Sequence, residues 1–325
     1  MKTLSTILFL IVASATLMNS SSFSLVQNQG QITEDCPGFK DCTSWNSSIP
    51  KEFDVEFPGP NHMTLHGHLY VPGINTQAEL DALAGSKSFG VNTGPAAVQG
   101  GLPPAKRLYK AVIYNHGSEA SPQGAPRLAK LYVDNGFVFF APDRHGQGLS
   151  KDAGPYIVDL EKTLVGQGRV TLHELYNLDV IAAVDWLKQQ RYVDKNHLIM
   201  TGVSYGGIQT LLTAEKDPGI RGYLAFTPGT QSWGNAAMAE RLKTAAKKEK
   251  APLFVIQAEG DYNLNPVISL GPILAAKGDA NRWLAKLYSK FGCTPQQAHG
   301  GFAGNCGGIA IWSADGLKFI ETAFK

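Results

Sequence analysis

The chain has 325 residues, of which 43% are apolar and 17% charged, so it carries too many core-forming side chains for a disordered or fibrous protein. Its 29 Lys and Arg face 27 Asp and Glu, and a net charge of +2 is too even for an electrostatic nucleic-acid footprint. A coiled-coil scaffold is excluded by the 35 glycines, which call for many tight turns.

Residues 1–22 read as an export signal. Lys2 supplies the charge, Leu4–Val12 the short apolar core, and Ala13, Ser14, Ala15 and Ser20–Ser22 the small residues that a signal peptidase needs. An apolar run of about 15 residues falls short of the ~20 that span a bilayer. No cysteine follows it for lipid attachment, and no later run has spanning length. The mature chain is therefore expected to be secreted or periplasmic, without stable membrane insertion. Cysteine usage agrees: Cys36, Cys42, Cys293 and Cys306 make an even number, as disulfides in an exported protein would. Each neighbouring pair brackets a turn-rich segment, which favours Cys36–Cys42 and Cys293–Cys306. The absence of a CxxC pair argues against zinc.

Residues 23–108 form an N-terminal arm, first strands and a long insertion. Residues 25–50 are polar and irregular. Phe53–Phe57 and Leu65–Val71 alternate as strands with one wet face. Residues 73–108 are rich in Gly, Pro, Asn and Gln, with one short helix over Ala78–Leu83. From residue 109 to 325 strands and helices alternate. Strands are expected at Ala111–Tyr114, Phe137–Phe140, His197–Thr201, Tyr223–Phe226, Leu253–Gln257 and Leu284–Tyr288. Helices are expected at Arg127–Asn135, Leu172–Gln190, Tyr205–Glu215, Ala236–Lys247, Pro266–Ala276 and Ala310–Phe324. Leu175, Leu178, Ala182 and Leu187 supply an apolar stripe for the helix 172–190. Continuous apolar strands between helices imply a mainly parallel sheet covered on both faces, an α/β fold that forms a single domain with the preceding strands. The basic stretch Lys243–Lys250 reads as a solvated helix end.

Gly202-Val203-Ser204-Tyr205-Gly206 matches G-x-S-x-G, entered from the apolar strand Leu198–Met200 and left by the helix-forming segment Ile208–Glu215. Such a turn strains the serine backbone, and a Cβ at either glycine would collide with neighbouring backbone. A serine hydroxyl needs a base to become a nucleophile. Of eight histidines only His299 follows Ser204, and in the chain order that accompanies this motif the acid and then the histidine come after the serine. The acid must hold the imidazole and stabilise its charged form. Glu259 and Asp261 follow directly on the apolar strand Leu253–Gln257, at the carboxyl edge of the sheet where sites assemble. Asp261, after the turn at Gly260, is favoured over Glu259. Two N–H donors are required at the developing oxyanion. The amide of Tyr205 is one, and the loop His116-Gly117-Ser118 supplies the other, with Ser118 preferred and Gly117 permitting close approach. His116 orders this loop.

Asn115-His116-Gly117-Ser118, Ala141-Pro142-Asp143-Arg144-His145-Gly146-Gln147-Gly148-Leu149-Ser150 and Gly202–Gly207 together resemble the α/β-hydrolase superfamily. Within it, the chain is most similar to the dienelactone hydrolase-like and prolyl oligopeptidase-like serine hydrolases. Gln257-Ala258-Glu259-Gly260-Asp261 resembles the acid loop of the former. The resemblance covers residues 105–325, and its one departure is Ser204, where dienelactone hydrolases carry cysteine. It implies an α/β-hydrolase fold and a serine hydrolase that acts on small carboxylic esters through an acyl-enzyme, with no cofactor or metal. The alternatives are a peptidase with the same triad and a non-catalytic binding protein on this fold. His62, His66 and His68 raise a metal site only weakly, since His66 and His68 simply share a strand face. Tyr205, Trp233, Tyr262 and Phe302 flank the motifs and are candidates to line a pocket.

Overall fold

The computed structural model describes residues 36–85 and 108–325. The expected signal at residues 1–22 and most of the insertion at 73–108 lie outside these. The chain enters through a short helix α1 (Thr43–Asn46), then β1 (Phe53–Pro58), β2 (Thr64–Tyr70) and α2 (Gln77–Ala84). It continues through β3 (Tyr109–Asn115), α3 (Pro126–Asp134), β4 (Val138–Pro142), α4 (Ile157–Glu161) and α5 (Gln167–Gln189). Next come β5 (Val193–Val203), α6 (Tyr205–Lys216), β6 (Gly222–Phe226), α7 (Ala236–Lys248), β7 (Leu253–Ala258), α8 (Asn265–Ala275) and β8 (Trp283–Tyr288). A π-helical turn at Gln297–Gly301, the single turn α9 (Phe302–Gly304) and α10 (Cys306–Ala323) close it.

All eight strands form one sheet in the order β1-β2-β4-β3-β5-β6-β7-β8. Strands β1 and β2 pair antiparallel, β2 pairs antiparallel with β4, and every other pair is parallel. The apolar strand runs divide their side chains between two cores by the period of two. Ile113, Met200, Tyr223 and Val255 pack with Val184 of α5, Leu211 of α6, Leu242 of α7 and Leu270 of α8. Val112, Ile199, Leu224 and Phe254 pack on the other face with Tyr132 of α3 and Trp312 of α10.

Local chemistry sets the ends of elements. Thr76 and Glu79 form a reciprocal capping box on α2, and Gly85 closes it in the left-handed region at φ 71°. Asn235 caps α7 through Met238 N–H, and Asn305 caps α10 through Gly307 N–H. One expectation fails on α5. Leu175 and Leu178 are 49% and 40% exposed, and the buried stripe runs instead through Leu172, Tyr176, Val180, Ala183 and Leu187. Buried polar residues His173, Asn177 and Asp179 complete that face, so counting apolar letters alone misplaced it.

All four cysteines are bridged, but not as neighbouring pairs. The bonds are Cys36–Cys293 and Cys42–Cys306, with Cα separations of 5.0 and 5.7 Å. The arm does not fold back on itself; it runs alongside the segment after β8. Gly292 N–H donates to Pro37 O at 2.7 Å, and Asn305 both accepts from Lys40 N–H and donates to Lys40 O. Phe39 packs on Phe291 with centroids 5.8 Å apart. Helical turns occupy 297–304, so Cys293 and Cys306 stand at either end of a structured segment and each meets the arm instead.

Candidate active site

Ser204 joins β5 to α6 with φ 56° and ψ −116°, one of six non-glycine residues at positive φ among the described residues. Three backbone bonds hold it there: Ser204 N–H to Phe226 O at 3.1 Å, Gly229 N–H to Ser204 O at 2.9 Å, and Ile208 N–H to Ser204 O at 3.1 Å. Strain of this kind persists only where the surroundings over-determine it. The flanking glycines have no room for a side chain. A Cβ on Gly202 would overlap the Gly206 carbonyl, and one on Gly206 would overlap the Asn115 and His116 carbonyls. The Ser204 turn and the loop after β3 thus touch backbone to backbone at Gly206.

Asp261 and His299 meet. His299 Nδ1 lies 2.9 Å from Asp261 Oδ1, and both side chains are buried. A carboxylate there fixes the ring proton on Nδ1 and leaves Nε2 as the basic nitrogen. Asp261 Oδ1 also accepts from Tyr262 N–H at 2.6 Å, while Oδ2 accepts from Gln257 Nε2 at 2.8 Å and Thr230 Oγ1 at 3.2 Å. Glu259 is exposed and its carboxylate has no bond to His299. His299 sits on the π-helical turn rather than in an open loop. Ser204 Oγ makes no hydrogen bond to His299 among the described residues. The turn 227–230 ties the two halves together, because Gly229 bonds the Ser204 carbonyl and Thr230 bonds the Asp261 carboxylate. Thr230 carries no signal in the sequence, and Gln257 enters there only as part of the acid-loop resemblance, although it is the only polar residue of the buried strand β7.

Tyr205 opens α6, so its N–H is a first-turn donor without an intrahelical partner. Across from it, Gly117 N–H is taken by Glu119 Oε1 at 3.3 Å, while Ser118 N–H has no partner among the described residues. A Cβ on Gly117 would lie 3.7 Å from Ser204 Cβ, which puts this loop beside the serine. Buried Arg144 shapes the loop by donating to His116 O at 3.0 Å and to Gly117 O. Its Nη2 also lies 3.0 Å from His116 Nδ1, which is equally close to Gly117 O. Burial and the adjacent guanidinium hold the His116 pKa well below its ordinary value, and the ring is neutral. Tyr156 donates to Ser118 O and anchors the far side of the loop. Of the aromatic candidates, Phe302 and Trp233 are core residues, and the 41% exposed Tyr262 packs edge-on to His299 at 5.4 Å. Tyr205 packs on His173 at 4.8 Å.

Glu52, Asp54 and His68 bring ligand atoms within 4.8 Å of one another, the only such metal-compatible trio among the described residues. Burial disfavours the charged His68 ring, but hydrogen bonds from it to Asp143 and Glu52 prevail and push its pKa up to about 10. A doubly protonated ring has no lone pair for a cation, so the trio suits a proton. This has a consequence for stability. The folded-state pKa lies above the unfolded value of 6.5, so the stabilisation is complete below pH 6.5 and is lost as pH rises to about 10. Unfolding free energy measured by urea titration is expected to fall between pH 7 and 10, and His68→Gln to flatten that slope. An unchanged slope in the variant would assign the loss to other groups.

Solved structures of similar fold include a dipeptidyl peptidase 4 from Porphyromonas gingivalis, at 15% identity and TM-score 0.55, covering 86% of this chain and 37% of that one. A putative dienelactone hydrolase from Klebsiella pneumoniae matches at 15% identity and TM-score 0.52, over 83% of this chain and 98% of its own. An esterase from Pyrococcus furiosus matches at 16% identity and TM-score 0.52, over 87% and 96%. The model of the prolyl oligopeptidase family matches residues 127–221, the stretch that carries Ser204. The chain has an α/β-hydrolase fold. No curated protein matches this α/β-hydrolase. It spans about two fifths of the length of the dipeptidyl peptidase and nearly all of the dienelactone hydrolase. Ser204, Asp261 and His299 follow β5, β7 and β8, so all three lie at the carboxyl ends of parallel strands.

Proposed function

We propose that this α/β-hydrolase is an exported serine esterase acting on small carboxylic esters. The observation that carries the reading is the buried Asp261–His299 pair at the same sheet edge as the strained Ser204. Ser204 Oγ attacks the acyl carbon while its proton passes to His299 Nε2, and Asp261 stabilises the resulting imidazolium. The tetrahedral oxyanion accepts from the amides of Tyr205 and Ser118. His299 then returns the proton to the departing alcohol, and water, deprotonated by the same nitrogen, releases the acid from the acyl-enzyme. The residues used need neither metal nor cofactor for these steps.

Ester rather than amide cleavage is supported by the short connection between β6 and β7. Its 26 residues hold one 3-10 turn and α7, with no extended cap to position a peptide. Amides also demand protonation of the leaving amine in the transition state. The prolyl oligopeptidase match favours a second reading, a peptidase with the same triad. Turnover of p-nitrophenyl esters of increasing acyl length is the test, beside aminoacyl and prolyl anilides. Acetate and butyrate esters are expected to have the highest kcat/KM; a faster anilide establishes the peptidase instead. Labelling of Ser204 by a fluorophosphonate separates either enzyme from a binding protein. Two disulfides support export, as does the amino-terminal sequence, and amino-terminal sequencing of protein from the culture medium or periplasm tests it.

A further inference from the structure

At the sheet edge opposite Ser204, a cavity of about 460 Å³ opens among the amino-terminal ends of the parallel strands. Four of its five cations come one per strand in spatial order: Lys195 from β5, Arg221 just before β6, Lys250 on the approach to β7 and Arg282 just before β8, with Lys325 after α10 the fifth. Adjacent strands lie roughly 4.8 Å apart, so the sheet spaces these positions as a row. The backbone beneath them is fixed, with Arg221 N–H donating to Leu198 O at 2.8 Å and Leu253 N–H to Arg282 O at 2.9 Å.

None of the four has an ion-pair partner among the described residues, whereas Lys130, Lys162, Lys248 and Lys286 elsewhere on the surface each hold a carboxylate within 2.9 Å. Asp217 is the one carboxylate lining the cavity. The carboxyl ends of α6 and α10 also face it, each bringing roughly half a negative charge. The five basic side chains outweigh that opposing charge. The end of the basic stretch Lys243–Lys250 thus belongs to this row, while Lys243, Lys247 and Lys248 pair with Glu240 and Glu215.

We propose that this cavity binds a short oligoanion of phosphate or sulfate groups, at a site separate from Ser204 and independent of the catalytic reading. Planar guanidinium groups at Arg221 and Arg282 suit bidentate contact with such oxyanions, and the lysines add unselective charge. The test is calorimetric titration of the whole protein with tripolyphosphate and, separately, with a sulfated heparin tetrasaccharide. At least one is expected to bind, with affinity falling about tenfold or more between roughly 50 and 200 mM salt as counterions compete. Which one binds identifies the phosphate or the sulfate source. Arg221→Gln with Arg282→Gln is expected to weaken binding at least tenfold while ester turnover and melting temperature hold. Should that pair unfold, Lys195→Gln with Lys250→Gln carries the same comparison. Absence of binding by both probes at low salt overturns the proposal. So does binding that persists unchanged in a folded double variant.

Discussion

Ser204→Ala is expected to lower kcat by at least about 10⁴-fold, leaving only the residual rate that an oxyanion hole and binding supply. The fold should survive, because alanine meets the same positive-φ strain as serine and the three backbone bonds at this position need no side chain. The melting temperature should stay within about 2 °C, as for substitutions that touch no core packing. Asp261→Asn extends the argument. An amide keeps the volume and can still bond Thr230, but it offers its NH₂ to His299 and reverses the ring tautomer, a change that costs about 10⁴-fold in a serine protease. Steady-state kinetics on a butyrate ester measure both. Turnover within tenfold of the parent in Ser204→Ala would remove Ser204 from the chemistry and leave the binding-protein reading.

The second large effect concerns the two bridges. Either one alone closes a loop of more than 250 residues, worth about 5 kcal/mol in the chain-entropy model. With one in place, the other closes only a ring made of residues 36–42 and 293–306, worth about 3 kcal/mol. Cys36→Ser with Cys293→Ser, or Cys42→Ser with Cys306→Ser, should therefore cost about 3 kcal/mol each, and the fourfold variant more than both together. Denaturant unfolding under non-reducing conditions reads this directly; simple additivity would show that the bridges act on separate loops. Turnover should fall too, because His299 rides on the segment that the bridges hold against the arm. Peptide mapping is expected to recover Cys36 with Cys293 and Cys42 with Cys306.

Much of the fold was legible because it is written in short-range patterns. The strand at Leu253–Ala258 is an uninterrupted apolar run, the serine turn is bracketed by glycines, and each lies where its composition places it. Chain order and strand ends narrow the candidates in the sequence to Ser204, His299 and one of two acids, and the contact found is that of His299 with Asp261. What depends on side chains meeting across the fold was not legible. Nothing local in Cys36 says that it will lie beside Cys293, 257 positions away. Leu175 and Leu178 match an apolar stripe on paper, yet α5 turns His173, Asn177 and Asp179 inward because α6 and the loop after β4 offer their side chains partners. The contact of Glu119 with Gly117 is likewise a matter of loop conformation, and it changes which amide is free to act.

The pairing of the arm with the segment after β8 also sets an order of events during synthesis. Cys36 and Cys42 emerge early, and their proper partners are made only after nearly the whole chain has followed. For that interval the two early thiols have only each other within reach, so in an oxidising compartment the first bond is expected to be the local one. Reaching the final pairs then requires thiolate attack on that early bond and exchange through a mixed disulfide. The slow step of oxidative refolding is accordingly expected to be one that a disulfide isomerase accelerates, and refolding without one is expected to trap protein sealed at the arm, with the segment that carries His299 still unfastened.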